Sequence, residues 1–248
     1  MQSKLQLYLF MLPRVVWKVF FIFNFIIGLI VLYPIFYVLL QGKAPYGKAF
    51  ALMRFWARCI LYVPGIIVRT KFKPTAPINS PCVLVANHAS YLDIIISYVV
   101  FNNYFVFVGK TEIKSAPLFN IFFKQMNILV DRGSAVSGAT AYKACSERLQ
   151  RGESVFLFPE GGIKANGQMR SFKNGAFQLA IDNQLPIVPV TFCNNWQLLQ
   201  TGAFLKCYGS AGIAKVVVHA PISTIGLRNE HVTALKQQVF TTINSELN

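Results

Sequence analysis

Hydrophobic residues are laid out in two different ways along this chain of 248 residues. Up to about residue 64 they come in long runs. Residues 19–40 carry no charge, and as a helix that stretch reaches about 33 Å, against roughly 30 Å for the hydrocarbon core of a bilayer. It is too long for a signal-peptide core and ends in Gln41-Gly42-Lys43-Ala44-Pro45 rather than a small-x-small cleavage site, so it is expected to be retained. Residues 48–63 continue as an amphipathic helix, with Arg54 and Arg58 on one face and Phe50, Phe55, Trp56, Ile60 and Leu61 available for burial at an interface. Together they predict a membrane anchor over 1–64, as a helical hairpin dipping into one leaflet or as a single span followed by an amphipathic helix. Lys4, Arg14 and Lys18 precede the apolar run while Lys43, Lys48, Arg54 and Arg58 follow it, so the positive-inside rule assigns no orientation. Pro34 is a candidate kink.

Beyond Gly65 the runs shorten and alternate. Strands are predicted at 66–72, 82–86, 104–108, 128–130, 154–158, 187–192 and 214–219, and helices at 92–101, 135–150, 175–182 and 231–247. Near-continuous apolar strands interleaved with helices predict an α/β fold: a mixed, largely parallel sheet flanked by helices, forming one domain over 65–248. One such core plus an anchor accounts for the whole length.

Composition narrows the setting. Lys and Arg number 24 against 9 acidic residues, a net charge of +15, yet 54% of residues are hydrophobic. The basic residues are scattered rather than gathered into runs on a polar background, which suits an anionic bilayer surface and not a nucleic acid. The five cysteines (Cys59, Cys82, Cys145, Cys193, Cys207) are odd in number and widely spaced, which predicts neither a disulfide framework nor a zinc site. A reduced, cytoplasm-facing catalytic domain on a membrane is the expected setting.

Three stretches carry candidate chemistry. The first is Asn87-His88-Ala89-Ser90-Tyr91-Leu92-Asp93, directly after a predicted strand and opening a helix, where open α/β sheets tend to place ligands. A carboxylate five residues on can hold one imidazole nitrogen and leave the other as a general base. Ser90-x-x-Asp93 is equally a capping box that serves helix amides, and the two roles do not exclude one another. The second is Phe158-Pro159-Glu160-Gly161-Gly162, which delivers a carboxylate to a strand end in an acid-poor chain; beside glycines an exposed turn residue is the plainer reading. The third runs from Gly109-Lys110-Thr111-Glu112 to Asp131-Arg132, where Arg132 can clamp a phosphate or merely sit in a turn before the next helix. His219, His231 and Trp196 read as structural or surface residues.

The order of these elements resembles the glycerolipid acyltransferase family typified by 1-acyl-glycerol-3-phosphate acyltransferase, over roughly residues 80–192. His88 and Asp93 match its His-x-x-x-x-Asp block, Lys110 through Arg132 its second, Phe158-Pro159-Glu160-Gly161 its third, and Ile187-Val188-Pro189-Val190 its fourth. The resemblance implies that His88 and Asp93 deprotonate an acceptor hydroxyl, which attacks a thioester directly without an acyl-enzyme. It implies that Asn87, Lys110, Arg132, Glu160, Gly161, Lys164, Arg170 and Lys173 contact substrate, Glu160 at the acceptor's glycerol and the cations at its phosphate. No cofactor or metal is implied; the donor, acyl-CoA or acyl-ACP, is a substrate, so acyl carrier protein joins membrane lipids and the lysolipid acceptor as an expected partner. The family's third block usually continues Glu-Gly-Thr-Arg, whereas this chain reads Glu160-Gly161-Gly162-Ile163. Another lysolipid, such as a lyso-aminolipid, is the alternative acceptor.

Other classes fit less well. There is no Gly-x-Ser-x-Gly elbow, no His-Glu-x-x-His and no P-loop lysine. A catalytically silent lipid-binding scaffold on the same fold, or a basic membrane-surface adaptor, would not need His88, Asp93 and Glu160 together.

Overall fold

The computed structural model describes residues 4–42, 45–73, 78, 81–115, 117–131 and 133–247. Arg132 and Lys43 lie outside the described residues, as does most of the loop between the first two strands.

Seven strands form one sheet: β1 (Ile66–Phe72), β2 (Val83–Ala86), β3 (Phe105–Lys110), β4 (Ile128–Val130), β5 (Ser154–Leu157), β6 (Ile187–Phe192) and β7 (Gly212–Val218). Their spatial order is β1-β7-β6-β2-β5-β3-β4. Every neighbouring pair is parallel except β6 with β7, so β1 and β7 run against the other five. The expected mixed, largely parallel sheet is what forms.

Alternation along the strands separates the two faces. Leu84, Ala86, Phe105, Phe107, Phe156, Val188, Val190 and Phe192 turn to one face, where they pack with α1 (Lys4–Leu40), α2 (Gly47–Tyr62) and α3 (Leu92–Val100). Val83, Val85, Val106, Val155 and Ile187 turn to the other, against α5 (Ala135–Gln150), α6 (Gly175–Asp182) and α8 (Val232–Asn244). Burial on both faces is why these strands read as unbroken apolar runs. Two short helices, α4 (Ile121–Gln125) and α7 (Asn195–Leu198), were not foreseen from the sequence; at five and four residues they are too short to carry a periodic signal.

The first helix begins at Lys4, well before the uncharged run. It does not stand away from the domain. Phe21, Leu29, Phe36 and Leu40 share one buried face, and Phe36 meets Phe122 of α4 edge-on at 4.8 Å. Gly28 permits the closest approach, since a Cβ there would lie 2.4 Å from the Trp56 indole of α2. The opposite face leaves Val16, Phe20, Phe23, Ile27, Val31 and Val38 exposed. Within α1, Met11–Leu40 is the one stretch among the described residues long and apolar enough to cross a membrane.

Candidate active site

Strand β2 leads into α3 on one face of the sheet, while its neighbour β5 leads through residues 158–174 into α6 on the other. Side chains at the carboxyl ends of two such strands border a crevice. His88 lies two residues past the end of β2, and Glu160 three past the end of β5.

His88 Nδ1 lies 2.9 Å from Asp93 Oδ2. The same oxygen accepts from the amides of Ala89 (2.8 Å) and Ser90 (2.9 Å). Asp93 therefore does both things its spacing offered: it serves the backbone at the start of α3 and orients the imidazole. Its second oxygen accepts from Asn195 Nδ2 at 2.7 Å, and Asp93 and Asn195 are both fully buried. Four donors around the carboxylate compensate its removal from water. The Phe158 ring stacks on the other side of the imidazole, with centroids 4.0 Å apart and planes 18° apart. Asn195 lies 102 positions from Asp93, and no local spacing announces it.

Glu160 is buried at 5% exposure, not turned to solvent. Its Oε1 accepts from the His88 amide at 2.8 Å and its Oε2 from the Arg170 amide at 2.7 Å. Burial pushes its carboxyl above the usual range, and the two amides pull it back down. The Lys164 amide adds a bond to the His88 carbonyl at 3.0 Å. Glu160 is thus the strut that ties the β2 loop to the β5 loop. Gly161 follows it at φ +75°, a conformation that favours glycine, and a Cβ there would press on the Lys173 side chain at 3.2 Å.

Asn87, expected to contact substrate, has its side chain engaged by the backbone of a neighbouring strand. Its amide group is spent on β6, donating to the Phe192 carbonyl (3.0 Å) and accepting from the Phe192 amide (2.8 Å). A side-chain amide that satisfies one backbone donor and one acceptor holds two strand ends together, and Asn87 is buried in doing so.

His88 opens on a cavity of about 510 Å³, within the usual size of small-molecule sites. Its walls are Phe25 of α1, Trp56 and Ile60 of α2, Tyr98 of α3, and Phe107 and Phe122, with Lys110, Gly161 and Thr201 also bordering it. Helices α1 and α2 therefore build much of the apolar wall of the crevice. Lys110 pairs with Glu112. Lys164 lies near Gln168, and Arg170 reaches the Ile163 carbonyl at 3.5 Å. Lys173 is exposed beside Gly161. Among the described residues no group of His, Cys, Asp and Glu is arranged to hold a metal ion.

The His88–Asp93 pair thus lies at the edge of an apolar cavity that Lys110 also borders. Residues 67–193 match the family model described as Acyltransferase. The chain belongs to that acyltransferase family. It is 33% identical over 145 residues to a chloroplastic 1-acyl-sn-glycerol-3-phosphate acyltransferase of Brassica napus, covering 58% of this chain and 41% of that protein. To the mouse (Mus musculus) 1-acyl-sn-glycerol-3-phosphate acyltransferase alpha it is 31% identical over 182 residues, covering 72% of this chain and 62% of that one. The chain thus spans about half the length of such relatives. Its fold is shared with the crystal structure of the 1-acyl-sn-glycerophosphate acyltransferase PlsC from Thermotoga maritima, with a TM-score of 0.75 over 95% of each chain at 18% identity.

Proposed function

We propose that this protein transfers a fatty acyl chain from an acyl thioester, acyl-CoA or acyl-ACP, to the free hydroxyl of a lysolipid, with 1-acyl-sn-glycerol-3-phosphate as acceptor and phosphatidic acid as product. The observation that carries the reading is the His88–Asp93 pair at 2.9 Å on the edge of an apolar cavity. With Nδ1–H held by the carboxylate, Nε2 is the nitrogen left to take a proton. It removes the acceptor hydroxyl proton as the oxygen bonds to the thioester carbonyl carbon. The C–S bond then breaks, and the departing thiolate recovers the proton from the imidazolium. A base positioned in this way typically contributes about 10²–10⁴ in rate.

The cavity is suited to the acyl chain, and Lys110, Arg132, Lys164, Arg170 and Lys173 are the cations available for an acceptor phosphate. The exposed apolar face of α1 would lie against lipid, α1 and α2 forming a helical hairpin in one leaflet with the catalytic domain on the cytoplasmic side. A net charge of +15 favours an anionic surface.

Purified protein in detergent, given an acyl thioester and lysophosphatidic acid, should form diacyl product detectable by mass spectrometry, and His88→Ala should lower its rate by about 10²–10⁴. Ile163, which stands where the family usually has arginine, favours one second reading: transfer to another lysolipid such as a lyso-aminolipid. Product from that acceptor alone would keep the chemistry and replace the substrate. No transfer from either donor to either acceptor would leave a silent lipid-binding scaffold.

A further inference from the structure

We infer that the hairpin from Leu199 to Gly209 is a separate lipid-contacting element, which inserts its apolar tip into an anionic bilayer beside the mouth of the crevice. The hairpin is built, not loose. Leu199 bridges Gly209 in antiparallel pairing, the Gln200 amide bonds the Tyr208 carbonyl at 3.0 Å, and the tip closes through Lys206 and Cys207 amides on the Ala203 carbonyl. An ordered turn would be expected to present polar residues to water, yet this one presents Phe204 at 42%, Leu205 at 61% and Tyr208 at 48% exposure. Large apolar side chains held out on a fixed scaffold mark a contact surface. The hairpin contains no acidic residue, and Lys206 is exposed at its tip. That charge pattern suits an anionic lipid surface, and the exposed apolar face of α1 beside the hairpin favours lipid as the occupant.

Its placement supports the same occupant. The hairpin is seated on α1 at residues 14–18. The buried Lys18 ammonium donates to the Phe204 carbonyl and, at 2.7 Å, to that of Cys207. The Arg14 guanidinium lies 4.2 Å over the Tyr208 ring. Gly209 lies so close to α1 that a Cβ there would fall 2.3 Å from the Lys18 side chain. A lysine buried in an apolar helix is costly unless its donors are met, so Lys18 fastens the hairpin to α1 at the level where Leu12, Val16 and Val19 face outward. The hairpin's other end belongs to the crevice. Thr201 borders the cavity, Gln200 reaches the Ala165 carbonyl at 3.3 Å, and the Leu199 carbonyl accepts from Ser90 at 2.6 Å. A tip in lipid at residues 203–205 would hold Thr201, and with it the cavity mouth, at the depth of the headgroups.

The labelling arm of the test is independent of the acyltransfer reading, and only the turnover arm rests on it. The full chain is reconstituted in phosphatidylcholine vesicles containing phosphatidylglycerol and a diazirine-tailed phosphatidylcholine, irradiated, digested and mapped by mass spectrometry. Adducts on the peptide containing residues 203–205 as well as on α1 are expected; adducts confined to α1 would overturn the inference. A Phe204→Ser, Leu205→Ser double variant should turn over vesicle-borne lysophosphatidic acid about tenfold more slowly than the unaltered protein while matching it in detergent micelles. Equal rates in vesicles, or an equal loss in both media, would overturn it as well. An unaltered protein that is labelled at the hairpin but inactive in both media would sink the proposed reaction and leave the lipid contact standing.

Discussion

His88 and His219 are both buried, at 8% and 4% exposure, and both lie just beyond a strand end, yet the molecule treats them differently. His88 faces a carboxylate and opens on a cavity. His219 Nε2 lies 2.9 Å from the Thr191 hydroxyl, which itself donates to the Ile243 carbonyl at 3.1 Å. A hydroxyl has one proton, so it accepts from His219, whose neutral ring is fixed with its proton on Nε2. Burial, helped by nearby Lys73, then lowers the pKa of His219 to about 4. The proposed base has a carboxylate partner and open space beside it, whereas His219 has neither and is held neutral. What separates the two histidines is the partner and the open space beside the ring, not burial.

The sharpest way to break that contrast is to make the partner of His88 neutral. Asp93→Asn keeps the volume, but an amide cannot accept from Nδ1–H and from two backbone amides as a carboxylate does, and its NH2 would face the donor of Asn195. The imidazole is then free to adopt the wrong tautomer, and a loss of about 10³–10⁴ in kcat is expected, with the folded state checked by its melting temperature. Activity within a fewfold of the unaltered protein would remove Asp93 from the mechanism.

How much of this was legible from residues alone depends on distance along the chain. The strands at 66–72, 128–130 and 187–192 fall where the apolar runs put them, because burial on both sheet faces leaves a strong local signal. The His88–Asp93 pair was legible for the same reason, both members lying within one turn-and-helix. The start of α1 was not, because Arg14 and Lys18 interrupt the hydropathy and find their partners in a hairpin nearly 200 residues away. Glu160 was legible as a strand-end carboxylate, but its work as a strut between loops depends on two amides that only the fold brings to it. Asn87 was grouped with its neighbour His88, and the two bonds its side chain makes to β6 were not legible, since Phe192 lies 105 positions away.

Asn195 is the test of whether the carboxylate needs its remote donor. Asn195→Ala strips the 2.7 Å bond from Asp93 Oδ1 and leaves a buried oxygen short of a partner, a cost of about 1–3 kcal/mol. If that cost falls on the orientation of the pair, kcat drops by about tenfold while KM stays put, and Asn195→Ser, which can still donate, recovers part of the loss. A rise in KM without a fall in kcat would place Asn195 in substrate binding.

The smallest effect concerns the histidine that refuses its proton. In the unfolded chain His219 titrates near its ordinary value of 6.5, whereas in the folded protein it does so at about 4. Above pH 6.5 neither state carries the proton, so the stability due to its neutral burial is fully present. Between pH 6.5 and 4 the unfolded state binds a proton that the folded state does not, and stability falls as the pH is lowered through that window. Read down to pH 4.5, the loss is on the order of 2 kcal/mol. His219→Gln keeps an N–H for Thr191 but cannot titrate. Its melting temperature in detergent should therefore decline less between pH 7 and pH 4.5 than that of the unaltered protein, while turnover at pH 7 is the same. Parallel declines would mean that His219 takes up its proton in the folded protein after all, and that burial does not suffice to hold it neutral.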